Sequence, residues 1–275
     1  MKNTMLINKS QELRIKLFDL VMQDKRGHIP SSYSALEIVI NLYYGGIIKY
    51  DVKHLDDPNR DRFIISKGHA AMVMYPIFAE LGFFDKSELK RFTKPDGILR
   101  MYADHTIPGI EAVSGSLGHG LGMANGYAYA AKQDELDYKS FVIIGDGECY
   151  EGSVWESAMF ASHYQLDNLI VIVDVNGLCI MDKTENCINQ GSIEDKFKAF
   201  GWETINVNGH SHVDIQRGFE IIHNKNGKPK AIIANTIKGK GISFMENQPL
   251  WHNRMPTEEQ IKQAYAELSV NCIVE

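Results

Sequence analysis

The chain has 275 residues, 44% hydrophobic and 23% charged, with a formal net charge of -6. That is enough apolar material for one large core or two small ones, and a mildly acidic balance that argues against general nucleic-acid binding, which needs concentrated basic surface, without excluding it. No apolar run reaches the ~18 to 20 residues of a membrane-spanning helix, and the start, MKNTMLINKSQELR, lacks the apolar core of a secretory signal. Cys149, Cys179, Cys187 and Cys272 form no CxxC pair and have no His partners at zinc spacing. Neither a disulfide framework nor structural zinc is therefore expected, and a reducing cytoplasm is the default location.

Residues 9–25 place Leu13, Leu17, Leu20 and Val21 on one stripe with charges opposite, which predicts an amphipathic helix ended by Arg26 and Gly27. A loop with His28 follows. Ser34 to Tyr44 reads as a second helix, apolar nearly all round, with Ser34 and Glu37 at capping-box positions. After an acidic loop, Asp51 to Asp61, the run RFIIS is a short strand, and SKGHA delivers His69 to the start of an apolar helix, Ala70 to Leu81. A histidine beside the unpaired backbone donors of a helix start suits a phosphate or a polarised hydroxyl; taken singly, His28 or His69 reads first as a structural or solvated histidine. Residues 85–100 are charged and loop-like around one short helix. Glycines 115, 118, 120 and 122 then form a flexible turn entering a small-residue helix. This stretch has no Rossmann-type preceding strand and no P-loop ending, which disfavours nucleotide binding.

The next stretch, Gly145 to Asn176, organises the rest. FVIIG (Phe141 to Gly145) is an apolar run of strand length, and Gly145-Asp146-Gly147 is a tight turn. Trp155, Ala158, Met159 and Ser162 recur at helical spacing, and LIVIVDVN reads as a buried parallel strand ending in Asn176. Two parallel strands joined by a helix put Asp146 and Asn176 at one carboxyl-terminal sheet edge, where ligands bind in open α/β folds. Hard oxygen donors there suit magnesium, which takes one or two protein oxygens and shares the rest with water and phosphate. The tripeptide alone reads first as an ordinary Asp-Gly turn.

Asp182 to Ser192 is a polar loop. FKAFGWETINV, a helix at Val213 to His223 and the strand AIIANTI resume the βαβ rhythm. KGKGISFMENQPLWHNRMPTEEQ carries two Gly-Lys pairs, which read as a solvated turn, and His252. A final amphipathic helix, Thr257 to Leu268, opens with a Thr cap and a Glu at the capping-box position. There is no internal repeat or low-complexity linker.

GDGECYEGSVWE and the Asn some thirty residues on resemble the thiamine diphosphate motif in its transketolase form. RGHIPSSYSALEI, NRDRFIISKGHAA, the GSLGHG segment and the KGKG segment resemble transketolase too, in its half-length, two-chain relatives. The resemblance implies a thiamine diphosphate-binding fold, a three-layer α/β/α with a mainly parallel sheet, with residues 1–275 as one diphosphate-binding domain. It implies thiamine diphosphate and Mg2+, or another divalent cation such as Ca2+ or Mn2+, as cofactors. Asp146, Asn176 and the main-chain oxygen of Leu178 would hold the metal. Gly147, Glu148, His69 and His252 would approach the diphosphate, and Gly115, Ser116 and Leu117 would line the aminopyrimidine.

By the same resemblance His28, His69, His105 and His252 would bind sugar hydroxyls and move protons, while the cofactor serves as electron sink. His105 lies closer to the following Pro-Gly than its family counterpart, and Val175 replaces the first Asn of the motif's usual pair. Glu151 and Glu156 correspond to carboxylates at the family's subunit boundary, and are read equally as solvent-exposed helix acids. The implied function is two-carbon ketol transfer from a ketose or ketose phosphate to an aldose or aldose phosphate. A separate C-terminal subunit of roughly 300 residues would supply the pyrimidine-binding domain, in an α2β2 assembly without nucleic acid or membrane. Two other readings stay open: a subunit of a thiamine-dependent 2-oxoacid dehydrogenase or synthase, and a non-catalytic regulatory module of the same fold.

Overall fold

A computed structural model describes residues 2–270; Cys272 lies outside the described residues. Five strands, β1 (Arg62–Ile65), β2 (Ser140–Gly145), β3 (Leu169–Val175), β4 (Glu203–Asn208) and β5 (Lys230–Asn235), form a wholly parallel sheet of order β1-β2-β3-β5-β4. Side chains alternate across it with the strand period of two. Phe63, Ile65, Phe141, Ile143, Ile170, Ile172, Ile232 and Ala234 point into one apolar layer; Ile64, Val142, Ile144, Val171, Val173, Ala231 and Ile233 point into the other. Both faces are covered, which is why these strands read as continuous apolar runs. The three-layer α/β/α architecture expected from the sequence is the one observed.

The first layer holds α1 (Lys2–Asp24), α2 (Ile29–Tyr43), α3 (Met74–Leu81), α8 (His212–Ile221) and α9 (Glu258–Val270); the second holds α4 (Gly120–Gln133), α5 (Gly152–His163) and α7 (Ile193–Ala199). A single turn, α6 (Thr184–Cys187), interrupts the loop expected at 182–192. Leu13, Leu17, Leu20 and Val21 face the core as expected, although α1 begins well before residue 9. No helix of the described residues is long and apolar enough to cross a membrane.

Several sequence expectations shift. The second helix begins at Ile29, not Ser34, because Pro30 in its first turn fixes φ and has no N–H to leave unpaired. Ser34 is thus interior, and Glu37 pairs with Arg14 and His210 instead of closing a capping box. His69 sits in a 3-10 segment, Gly68–Val73, and the α-helix begins only at Met74. On α5 the buried stripe is Val154, Ala158 and Ala161; Met159 is 51% exposed. At the last helix Thr257 does cap, with its Oγ1 accepting from Gln260 N at 3.3 Å, but the reciprocal partner is Gln260 and not a Glu.

Candidate active site

A parallel sheet delivers the ends of four strands to one edge. Lys67 and His69 follow β1, Asp146 to Glu148 follow β2, Asn176 to Leu178 follow β3, and Lys238 follows β5. Gly145 pairs in register with Asp174, so the turns after β2 and β3 lie side by side. Gly177 N donates to Asp146 Oδ2 at 2.7 Å, and Gly147 N donates to Oδ1 at 2.9 Å. Gly177 holds a φ of +74° to make this turn, a conformation glycine adopts without steric cost. Gly68 is equally constrained: a Cβ there would come within 2.6 Å of the Ser114 backbone.

These groups enclose a cavity of about 550 Å³ lined by His69, Leu117, Asp146, Gly147, Glu148, Glu151, Asn176, Leu178, Cys179, Lys238 and His252, among others. His28 lies beside it. Its ring centroid is 5.4 Å from that of His69 and 5.2 Å from that of His252, and the latter two are 5.1 Å apart. The Nδ1 of His28 is buried without a hydrogen-bond partner among the described residues, an unusual state for a polar atom and a ready site for a ligand hydroxyl. Burial holds all three imidazoles below their ordinary range: His252 falls to about 3 with Lys238 assisting, His69 goes well below it with Lys67 assisting, and His28 is lowered with Lys238 assisting. They are neutral near pH 7, each able to accept a proton on one ring nitrogen and donate from the other.

The cavity is strongly polarised. Asp146 is 2% exposed, and burial, reinforced by the nearby Asp174 carboxylate, pushes it up to about 6. Each of its oxygens accepts one backbone N–H, which leaves lone pairs free for a cation. Asn176 Oδ1 accepts from Leu178 N at 3.2 Å, and the Leu178 carbonyl faces Lys238 Nζ at 3.4 Å. No group of three or more His, Cys, Asp or Glu side chains is placed as metal ligands among the described residues. The oxygens gathered here are one carboxylate and amide oxygens, a donor set that would fit a small hard cation completing its shell with phosphate and water.

Two lysines and an aspartate were not singled out by sequence reasoning. Lys238 is 2% exposed; it donates to His252 Nδ1 at 3.1 Å and to the Cys179 carbonyl at 3.4 Å, and burial, with Lys67 adding to it, pushes its ammonium down to about 8. Lys67 and Asp174 form a buried ion pair beneath the turn, joined by Ser34 and Thr236. The available signals were a Lys directly after an apolar strand, in SKG and IKGKG, and one Asp inside the apolar run LIVIVDV.

Other expected residues fall outside the cavity or serve it differently. Glu148 lines the cavity, but its oxygens accept from Ser66 Oγ, from Gly118 N at 2.8 Å and from Gly145 N at 3.1 Å, so it braces the turn against the loop before α4. Gly115 and Ser116 are exposed near it, with Tyr102 packed beside Gly115. Glu151 reaches the cavity wall, whereas Glu156 lies exposed on α5. His105 is exposed and does not join the histidine cluster; Tyr102, its centroid 6.2 Å from that of His28, stands there instead. A wider cleft of about 880 Å³ lies elsewhere, but its Arg14, Glu37, His210 and His212 are engaged with one another and with Ser10 and Asn41.

Residues 6–273 match the family described as transketolase, thiamine diphosphate binding domain. The chain belongs to the transketolase family. It is 39% identical over 261 residues, 95% of this chain and 92% of the relative, to an apulose-4-phosphate transketolase subunit of Phocaeicola vulgatus. It is 39% identical over 243 residues, 88% of each chain, to 6-deoxy-6-sulfo-D-fructose transketolase subunit SqwG of a Clostridium species. Against human transketolase the identity is 36% over 271 residues, covering 96% of this chain but 42% of that one. Among solved structures, transketolase of Campylobacter jejuni superposes with a TM-score of 0.89 at 28% identity, over 98% of this chain and 44% of the other. Transketolases are transferases of a two-carbon ketol unit, and these relationships favour neither a 2-oxoacid dehydrogenase or synthase subunit nor a regulatory module.

Proposed function

We propose that this chain is the cofactor-binding subunit of a two-chain transketolase, with residues 1–275 acting as a single diphosphate-binding domain. A separate pyrimidine-domain subunit completes each site in a cytoplasmic α2β2 assembly that acts without nucleic acid or membrane. The observation that carries the reading is the convergence of Asp146, Asn176 and the Leu178 carbonyl with three neutral histidines around one cavity. The relatives named as transketolase subunits, matched over nearly their full length, support the division into two chains.

In this reading Asp146, Asn176 and Leu178 hold Mg2+, with Ca2+ or Mn2+ as substitutes. Gly147, His69, His252 and Lys238 face the diphosphate, and Leu117 with Gly115 and Ser116 borders the aminopyrimidine. Thiamine diphosphate supplies the electron sink for carbon-carbon cleavage. The protein's own part is orientation and proton traffic. His28 offers its free Nδ1 to a hydroxyl of the ketose donor, and His69 and His252, kept neutral by burial, accept and return protons as the donor is cleaved and the aldose acceptor is joined. Lys238 places a positive charge where the diphosphate needs one and orients His252. Glu148 acts by positioning, and Glu151 and Glu156 face the partner subunit.

The Phocaeicola and Clostridium relatives are named for sugars bearing a phosphate or a sulfonate, which supports an anionic sugar as substrate here. Tyr102, beside His28 where the shortened loop leaves His105 outside, would shape acceptor choice. Calorimetry of thiamine diphosphate with Mg2+ on the chain with and without its partner, followed by ketol transfer to a panel of aldose phosphates, tests the reading. Binding that requires Mg2+ and turnover that requires both chains are expected. A reconstituted pair that binds no cofactor would overturn it.

A further inference from the structure

The loop between Asn176 and Ile193 carries a pair of cysteines that the mechanism does not use. Leu178 bridges Lys183 in antiparallel fashion, Cys179 N donates to Asp182 O at 3.0 Å, and Cys187 N donates to Lys183 O at 3.2 Å. A hairpin followed by the single turn α6 thus folds Cys187 back onto Cys179. The two sulfurs lie 3.1 Å apart, both thiols are partly exposed, and both line the cavity. A disulfide needs ~2.05 Å between sulfurs, so the two are about an ångström from bonding distance. Cys149, in contrast, is 1% exposed and directs its thiol to the Gly145 carbonyl.

We propose that Cys179 and Cys187 are a reversible redox modification site, whose intramolecular disulfide clasps the loop that carries the Leu178 carbonyl. The chemistry goes beyond the functional reading above and does not depend on it. The oxidant is a low-molecular-weight disulfide. The thiolate of one cysteine attacks a sulfur of the reagent, breaking its S–S bond, releasing one thiolate and leaving a mixed disulfide on the protein. The second cysteine attacks the protein-bound sulfur and displaces the other half of the reagent. The protein gives up two electrons and the reagent takes them; the two protons from the cysteines end on the two released thiols. A dithiol reverses the exchange.

The loop links two parts of the site. The Leu178 and Cys179 carbonyls both face Lys238 Nζ at 3.4 Å, so a clasped loop holds the peptide nearest the proposed metal position.

The test exposes the native full-length chain to glutathione disulfide, blocks remaining thiols and maps peptides by mass spectrometry. Expected is a product lighter by two hydrogens, retaining no glutathione, with the Cys179 and Cys187 peptides joined and the change undone by dithiothreitol. Cys179→Ser and Cys187→Ser, which keep the loop's size and polarity, should each retain one glutathione on the surviving cysteine. Hydrogen exchange of the amides between residues 178 and 187 should slow at least about threefold in the oxidised chain, because local opening is then restricted. A stable mixed disulfide on the unaltered chain, or a bridge mapping to Cys272, would overturn the proposal. So would no reaction at ratios that glutathionylate the serine variants.

Discussion

Lys67 and Asp174 meet inside the protein, their side chains 2% and 0% exposed, directly beneath the turn that carries Asp146. Burial works against the charge on Asp174, but Lys67, Ser34 and Thr236 hold its carboxyl below the usual range. The Asp146 carboxylate accepts from backbone N–H groups alone among the described residues and feels Asp174 as a like charge that the more distant Lys67 offsets only in part. One carboxylate is thus satisfied within the protein and its neighbour is left short of a positive charge.

Removing one member of the pair strands the other. Lys67→Met is expected to destabilise the fold by about 3–5 kcal/mol, while the Lys67→Met, Asp174→Leu double variant should recover a substantial part of that loss. Urea unfolding of the two single variants and the double variant checks this. Additive losses would show that the two side chains act independently.

Asp146→Ala should keep the fold, as judged by circular dichroism, and weaken Mg2+-dependent thiamine diphosphate binding at least about 100-fold. Chelation of divalent cations from the unaltered chain should do the same. Calorimetry reads both. Binding unaffected by either treatment would remove Asp146 from the metal.

Lys238 gives a pH signature with two opposite signs. Its ammonium sits at about 8 in the folded chain against an ordinary 10.5. Between those values the unfolded chain binds more protons, so the cost of burying the charge is full below about pH 8, and the ligand-free chain gains stability as pH rises towards 10.5. A diphosphate needs the charged form. The rise in Tm on adding cofactor and Mg2+ is therefore expected to be largest below pH 8 and to shrink above it. Thermal scans from about pH 6.5 to about pH 10 would show the two trends crossing. A ligand-induced shift that did not vary with pH would separate Lys238 from the diphosphate.

With the partner subunit present, His28→Ala, His69→Ala and His252→Ala should each lower kcat by about 10² to 10⁴ while leaving unfolding curves close to those of the parent. His105→Ala, at an exposed position outside the cluster, should change kcat less than about threefold. Steady-state kinetics on the four variants distinguish these groups. Equal losses at all four positions would bring His105 back into the site.

The sheet and the shared edge of Asp146 and Asn176 were legible because a strand-helix-strand unit has one sterically favoured way to close. FVIIG and LIVIVDV had to be neighbours, and Asp146 and Asn176 had to share an edge. The buried charges were not legible. Lys67 and Asp174 lie 107 positions apart, and a lysine between small residues looks solvated until its partner is seen. Lys238 was hidden in a similar way by the Gly239-Lys240-Gly241 stretch that follows it. Ser34 was misassigned as a cap because a hydroxyl three residues before a Glu has the same pattern inside a helix that starts earlier. The Cys179 and Cys187 pair depended on the path of a loop with no periodicity to read.

The position of β5 between β3 and β4 also constrains how the polypeptide reaches this state. β4 is complete at Asn208, yet its only sheet neighbour among the described residues begins at Lys230. During synthesis, then, β4 emerges from the ribosome with nothing to pair with, and the sheet closes only when a later segment is threaded between two earlier ones. Such late, long-range insertion slows assembly and leaves open edges exposed to wrong partners. Maturation of this chain is expected to depend on what shields those edges until Asn235 has been made.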